Sequence, residues 1–316
     1  MCKNVTKLSS IATAEALVNS RRIGILCGFA IVCLFSGFTL VSRMGFASSL
    51  KVMDIAALRF VTAGIVMLPL LLKYGLTVQE GQEKVRKARG RIRLHEAAAL
   101  ALSGGLGFAM LAYTGFSLAP ASHAAVLLHG SLPLFSSLLA YTLLPASLSM
   151  RRKLGLLIIA LGIAAMAYDS LINASMRQLL GDAALLSASI CWSAYGLLAQ
   201  KLELRPAHTA AIVAVCSMFC YLPLYLMLPG KALLLANWRE ILVQALFQGV
   251  MIGVLSIYIY SQAVARLGAL ETALYTAAVP CVTTLAAVFF LAEIPGLLVQ
   301  GGVLIVTAGM LLAMKN

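Results

Sequence analysis

The chain has 316 residues, 61% hydrophobic and 11% charged, with a formal charge of +13 and a mean hydropathy of +0.96. Soluble domains are nearer half apolar and a quarter charged, and one this apolar would expose larger patches than soluble monomers carry. The composition therefore excludes an ordinary soluble globular protein and makes lipid the solvent.

A bilayer core takes roughly 20 apolar residues per helix. Runs of that kind predict spans at 23–44, 55–73, 97–118, 121–143, 153–168, 181–200, 209–228, 241–263, 270–291 and 297–314. They lack the period-two alternation of a membrane barrel, and backbone in lipid must satisfy itself, so they read as helices. The expected fold is an all-α integral membrane protein of about ten transmembrane helices. The first run is too long for a signal-peptide core and belongs to the repeat described below, so no cleavage is expected.

With the N-terminus placed inside, 18 of the 24 Lys and Arg fall on the inner side and five on the outer, with Arg59 in a span. That asymmetry is the topology signal of membrane proteins, and it predicts both termini in the cytoplasm of a bacterial inner membrane. The densest stretch, Lys84 to Arg93, reads as a topology anchor, or as a contact for anionic lipid. It has no aromatic residue to stack on bases, so nucleic acid is not an expected partner. Cys27, Cys33, Cys191, Cys216, Cys220 and Cys281 lie in spans and read as small apolar residues. No metal or cofactor is expected.

The chain repeats itself. A shift of 147 residues carries Tyr113 onto Tyr260, Pro133 onto Pro280, Gly155 onto Gly302 and Gly162 onto Gly309. A shift of 157 carries Gly24 onto Gly181, Phe35 onto Trp192, Ser36 onto Ser193 and Phe38 onto Tyr195. The expected organisation is a cytoplasmic segment at 1–22 and five-helix repeats at 23–168 and 179–314. Five is odd, so the second repeat enters the membrane from the opposite side. Inverted repeats of this kind place substrate sites near the midplane.

The pattern resembles the drug/metabolite transporter superfamily in its ten-helix form with two EamA-type repeats. Leu58-Arg59-Phe60, Ser131-Leu-Pro-Leu-Phe135, Tyr260 with Ala263, Pro280, and Leu291-Ala-Glu293 carry the resemblance. It implies export of a metabolite, amino acid or drug. The chain departs from the family where helix 4 closes on Ala146 rather than a Glu.

Polar groups inside spans should face a cavity or another helix. In helix 4, Ser122, His129 and Ser136 share a face, and Pro133 cannot donate to the His129 carbonyl. The repeat places Thr276 and Thr283 at the matching positions of helix 9. His129 reads equally as a cavity residue or as a bond to a neighbouring helix. Uniform winding puts Gln244, Gln248, Tyr258 and Gln262 on one face of helix 8, with Tyr260 opposite; Gln248, Tyr258 and Gln262 read as cavity residues. Trp192 and Tyr195 suit an organic-ligand pocket, or helix packing. Arg59 reads as a snorkelling anchor or as a carboxylate trap. Glu271 and Asp182 open helices, where a carboxylate complements the dipole; Glu271 alternatively titrates as a coupling group.

The expected function is a secondary transporter for a small organic molecule, working by alternating access. The chain has no Walker A pattern to support ATP drive. A membrane-embedded enzyme and a passive channel are the competing readings. The enzyme would want clustered His or carboxylates, and the channel a filter-like loop.

Overall fold

The computed structural model describes residues 2–76, 92–143, 149–172 and 176–314, with side chains from Val18 onward save those of residues 143, 170, 277 and 314. The basic stretch from Lys84 to Arg91 and the Ala146 position lie outside the described residues. Among the described residues ten helical units follow one another. They are α1 (Cys2–Phe46), α2 (Val52–Tyr74), α3 (Leu94–Gly104 with Leu106–Leu118), α4 (Ala121–Ala124, Ala125–Gly130, Leu132–Leu143) and α5 (Met150–Ile172). The second half has α6 (Met176–Leu202), α7 (Pro206–Met227), α8 (Trp238–Gln244, Ala245–Ser256, Ile257–Leu267), α9 (Ala269–Tyr275, Thr276–Ala278, Val279–Leu291) and α10 (Leu297–Met314).

Eight of these are long and apolar enough to cross a membrane, and Leu297–Ala313 is a shorter apolar helix. Large apolar side chains such as Leu26, Phe29, Ile65, Leu72, Leu161 and Phe289 point outward from the bundle, as a lipid-facing belt requires. The chain is a multi-pass membrane protein. α1 continues toward the N-terminus beyond its predicted span, and residues expected as a separate 1–22 segment extend the same helix. Its sequence there includes Ala14-Glu-Ala-Leu17, all strong helix formers.

The inversion can be read from four glycines. Gly155 lies against Gly309, and Gly162 lies against Gly302. Under the repeat, Gly155 corresponds to Gly302 and Gly162 to Gly309. Exchanging the halves therefore maps one contact onto the other, which is the property of a two-fold contact. The pairing runs in opposite directions along α5 and α10, so the two helices are antiparallel. A Cβ at Gly155 would sit 2.6 Å from the Gly309 carbonyl oxygen. Glycine thus sets how closely these helices approach. Elsewhere Gly24 packs on Leu267, Gly28 on Tyr275, Gly249 on Thr62 and Gly253 on Ala63.

The aromatic mates repeat their contacts as well. Phe38 meets Tyr113 with ring centroids 5.7 Å apart, and their counterparts Tyr195 and Tyr260 meet at 5.9 Å. Phe35 and its own counterpart Trp192 touch edge to face at 5.6 Å. The pseudo-two-fold axis passes through this aromatic centre.

Candidate functional site

Five of the predicted cavity residues lie at the centre: His129, Trp192 and Tyr195 among its rings, with Gln248 and Thr276 buried beside them. Phe35 stacks on the His129 ring at 4.8 Å, Trp192 packs on Phe108 at 4.5 Å, and Tyr195 and Tyr260 both touch Trp192. The residues come from α1, α3, α4, α6 and α8. All are 3% exposed or less, so the rings pack against one another. The rings close the middle of the bundle instead of lining an open chamber.

Polar bookkeeping in this core is incomplete. Tyr195 shares a hydrogen bond with Ser261 at 2.8 Å. Tyr113 donates to Gln248 Oε1 at 3.1 Å, Gln248 Nε2 donates to Ser42 at 3.0 Å, and Ser42 donates to the Phe38 carbonyl. By contrast, neither His129 ring nitrogen has a hydrogen-bond partner, and Trp192 Nε1 and Arg59 Nη1 make no well-aligned bond, each group having only a tyrosine hydroxyl beside it, Tyr260 for Trp192 and Tyr113 for Arg59. Buried polar groups are ordinarily paired, and each exception costs about 1–3 kcal/mol, more when charged.

Arg59 does not snorkel. It is 1% exposed, because the buried face of α2 runs Ile55, Ala56, Arg59, Phe60 and Ala63. Its guanidinium carbon lies 5.1 Å from the Phe38 ring centroid and 5.9 Å from those of Phe108 and Tyr113. Ring faces offset about 0.5–2 kcal/mol each, against several kcal/mol for an unpaired buried ion. Among the described residues no carboxylate forms an ion pair with it.

Thr276 and His129 meet across the axis. The Thr276 hydroxyl lies 3.1 Å from the His129 carbonyl and 2.6 Å from that of Ala273, so it divides its proton between them. The proline-freed carbonyl thus finds a donor on the partner repeat. The two prolines are accommodated differently. Before Pro133 the helix widens into a π turn over Ala125–Gly130; before Pro280 it tightens into a 3₁₀ turn over Thr276–Ala278. Ser131 and Ser136 bond Ser189 and Ser193, tying α4 to α6.

Tyr258 and Gln262 are not at this centre. Tyr258 is 36% exposed and accepts a 2.7 Å bond from Gln262, which also bonds Arg266. The reason is winding. Ala245–Ser256 is a π-helix, which advances about 85° per residue instead of 100°. Between Gln248 and Ser256 the lag reaches about 120°. It swings Tyr258 away from Gln248 and brings Tyr260 onto the Gln248 face. Gln244 bonds the Val41 carbonyl at 3.1 Å.

Charged groups gather at the two ends. Glu271 pairs with Arg21 at 3.3 Å on an exposed rim. Beside it a cavity of about 280 Å³ is lined by Arg21, Arg152, Glu271 and Tyr275. At the opposite end Arg43 pairs with Glu293 and donates to the Phe116 and Ala119 carbonyls. Glu293 also accepts from the Ala121 amide at 2.8 Å. A cavity of about 600 Å³ opens there, lined by Arg43, His123, Asp169, Arg177 and Glu293 among others. No central aromatic lines either cavity.

The sequence reading missed the cluster around His123. α6 starts at Met176, so Asp182 falls in its second turn and not at its opening. There it meets His123 Nδ1 at 3.1 Å, while Asp169 stands 3.7 Å from Nε2. Only the three-dimensional packing joins helices 4, 5 and 6 at that point. Among the described residues no group of three His, Cys, Asp or Glu is placed to hold a metal.

A solved crystal structure 18% identical to this chain superposes with a TM-score of 0.59, covering 92% of this chain and 96% of the other. That likeness concerns the fold. No curated protein is similar enough in sequence to match. The model of the EamA-like transporter family matches residues 22–168 and again residues 179–315. With two matches spanning nearly the whole length, the chain belongs to the EamA-like transporter family.

Proposed function

We propose that this protein is a secondary carrier that exports a small organic molecule by alternating access, with the aromatic centre as its substrate site. The observation that carries this reading is the set of under-satisfied polar groups buried around the aromatic centre: the His129 ring nitrogens, Trp192 Nε1 and Arg59 Nη1. A substrate that separates the rings would supply the missing partners. Cavities at both ends, with packed rings between them, fit a state closed on each side. The outward direction follows from the resemblance to exporters. The excess of Lys and Arg at one side supports an inner-membrane protein with cytoplasmic termini.

Substrate identification comes from metabolite profiling of cells with and without the protein. The decisive test is counterflow of the identified compound in proteoliposomes. Saturable exchange supports a carrier; non-saturating flux without counterflow supports a channel, and chemical turnover in detergent supports an enzyme.

A further inference from the structure

Arg59 carries a charge that nothing described so far uses. Among the described residues it is the one buried Lys or Arg. Its Nη1 makes no well-aligned bond. The buried carboxylate on the same helix, Asp54, is fully engaged: it accepts from the Lys51 amide, the Ala232 amide and the Tyr225 hydroxyl. A void of about 10 Å³ beside Arg59 leaves room for no more than about one water. Phe108 links the cation to the rest of the centre, since its ring centroid is 5.9 Å from the guanidinium carbon and 4.5 Å from the Trp192 ring. Cation and indole are thus separated by the width of one ring.

We propose that the central site selects a monocarboxylate with a compact apolar or aromatic body, and that Arg59 pairs with its carboxylate. The proposal rests on the carrier reading of the same cluster. A guanidinium is matched in geometry to a carboxylate. The ring faces of Phe35, Phe108 and Trp192 suit a flat or branched body, and Trp192 Nε1 can donate to one further polar substituent. A dianion such as a phosphate monoester would want a second buried cation. An amino acid would bury an ammonium group, and the buried carboxylates, Asp54 and Asp182, are both taken, by the donors above and by His123. An organic cation would meet Arg59 as a like charge.

The chain has two tryptophans, and Trp238 is exposed at the surface. Trp238→Phe therefore leaves Trp192 as the sole tryptophan, whose selectively excited emission reports on the centre. Purified Trp238→Phe protein is titrated with phenylacetate, phenylacetamide, phenylalanine and phenyl phosphate, with aliphatic monocarboxylates alongside. Phenylacetate is expected to bind about tenfold or more tightly than its amide, the amino acid and the phosphate. Arg59→Met in that background removes the preference for acid over amide, and Arg59→Lys keeps part of it. Melting temperature gives a second readout: the acid raises it in the parent and not in Arg59→Met. If Arg59→Met does not fold, Arg59→Lys and the acid–amide comparison in the parent still decide.

Equal affinity for acid and amide overturns the proposal, as does preference for the phosphate or the amino acid. So does an acid preference that survives Arg59→Met, or a carboxylate panel that moves neither emission nor melting. Failure of the carrier reading looks different: Arg59-dependent acid binding with no flux in proteoliposomes. Flux of neutral solutes without acid binding would keep the carrier and remove the anion.

Discussion

The Thr276 hydroxyl and the His129 carbonyl stand 3.1 Å apart although their residues are 147 positions apart in the chain. That separation is the repeat shift itself, so each residue bonds its own counterpart. Thr276→Val removes the donor and leaves the carbonyl of a proline-broken helix without it. A loss of about 0.5–1.5 kcal/mol is expected, in the range of hydrogen bonds between membrane helices. Thr276→Ser should restore most of it. Reversible unfolding in mixed micelles measures both variants, and an unchanged Thr276→Val would show that the bond to the His129 carbonyl adds nothing to stability.

Gly155 and Gly309 pack backbone against backbone between α5 and α10. Gly155→Val places branched carbon against a carbonyl that has nowhere to move. At least about 2 kcal/mol of destabilisation is expected. Gly301→Val, whose added Cβ would meet nothing within 4 Å, should be nearly neutral. The comparison is read from melting in detergent, and equal effects would contradict the close packing.

The two ion pairs of α1, one with Glu271 in α9 and one with Glu293 just past its end, should differ in worth. Glu293 is about a quarter exposed and engages both Arg43 and a backbone amide; Glu293→Gln is expected to cost about 1 kcal/mol. Arg21 is 68% exposed, and Arg21→Gln should fall within about 0.5 kcal/mol of the parent. Chemical denaturation in salt-matched buffer separates them. A larger cost at Arg21 would contradict this ranking.

Flux should track the winding of α8. Gln248→Ala and Trp192→Ala are expected to reduce transport about tenfold or more per inserted molecule. Tyr258→Ala and Gln262→Ala, which change the outward face, should stay within about twofold. A proteoliposome assay normalised to inserted protein is the measurement, and loss at Tyr258 with none at Gln248 would reverse the assigned faces.

Topology is open to a labelling test. In a cysteine-free background, Gly90→Cys should resist an impermeant maleimide added outside intact cells, and Lys231→Cys should react. The charge asymmetry predicts this order, and the opposite pattern would invert the protein in the membrane.

Much of the architecture is fixed by composition and self-similarity. Lipid admits few backbone solutions, so apolar length alone marks the helices. The recurrence of Pro133 as Pro280 and of Gly155 and Gly162 as Gly302 and Gly309 marks the inversion. What only the tertiary structure decided is which way each polar side chain turns. Uniform winding put Tyr258 inside and Tyr260 outside, and the π-helix of α8 reversed them. Packing against α2 placed Arg59 on that helix's interior face, because the choice between snorkelling and burial depends on what packs against the helix. His123, Asp169 and Asp182 lie on three helices with no shared spacing in the chain. The angular register of a helix accumulates small deviations over its whole length, and contacts between helices are not encoded by any local period.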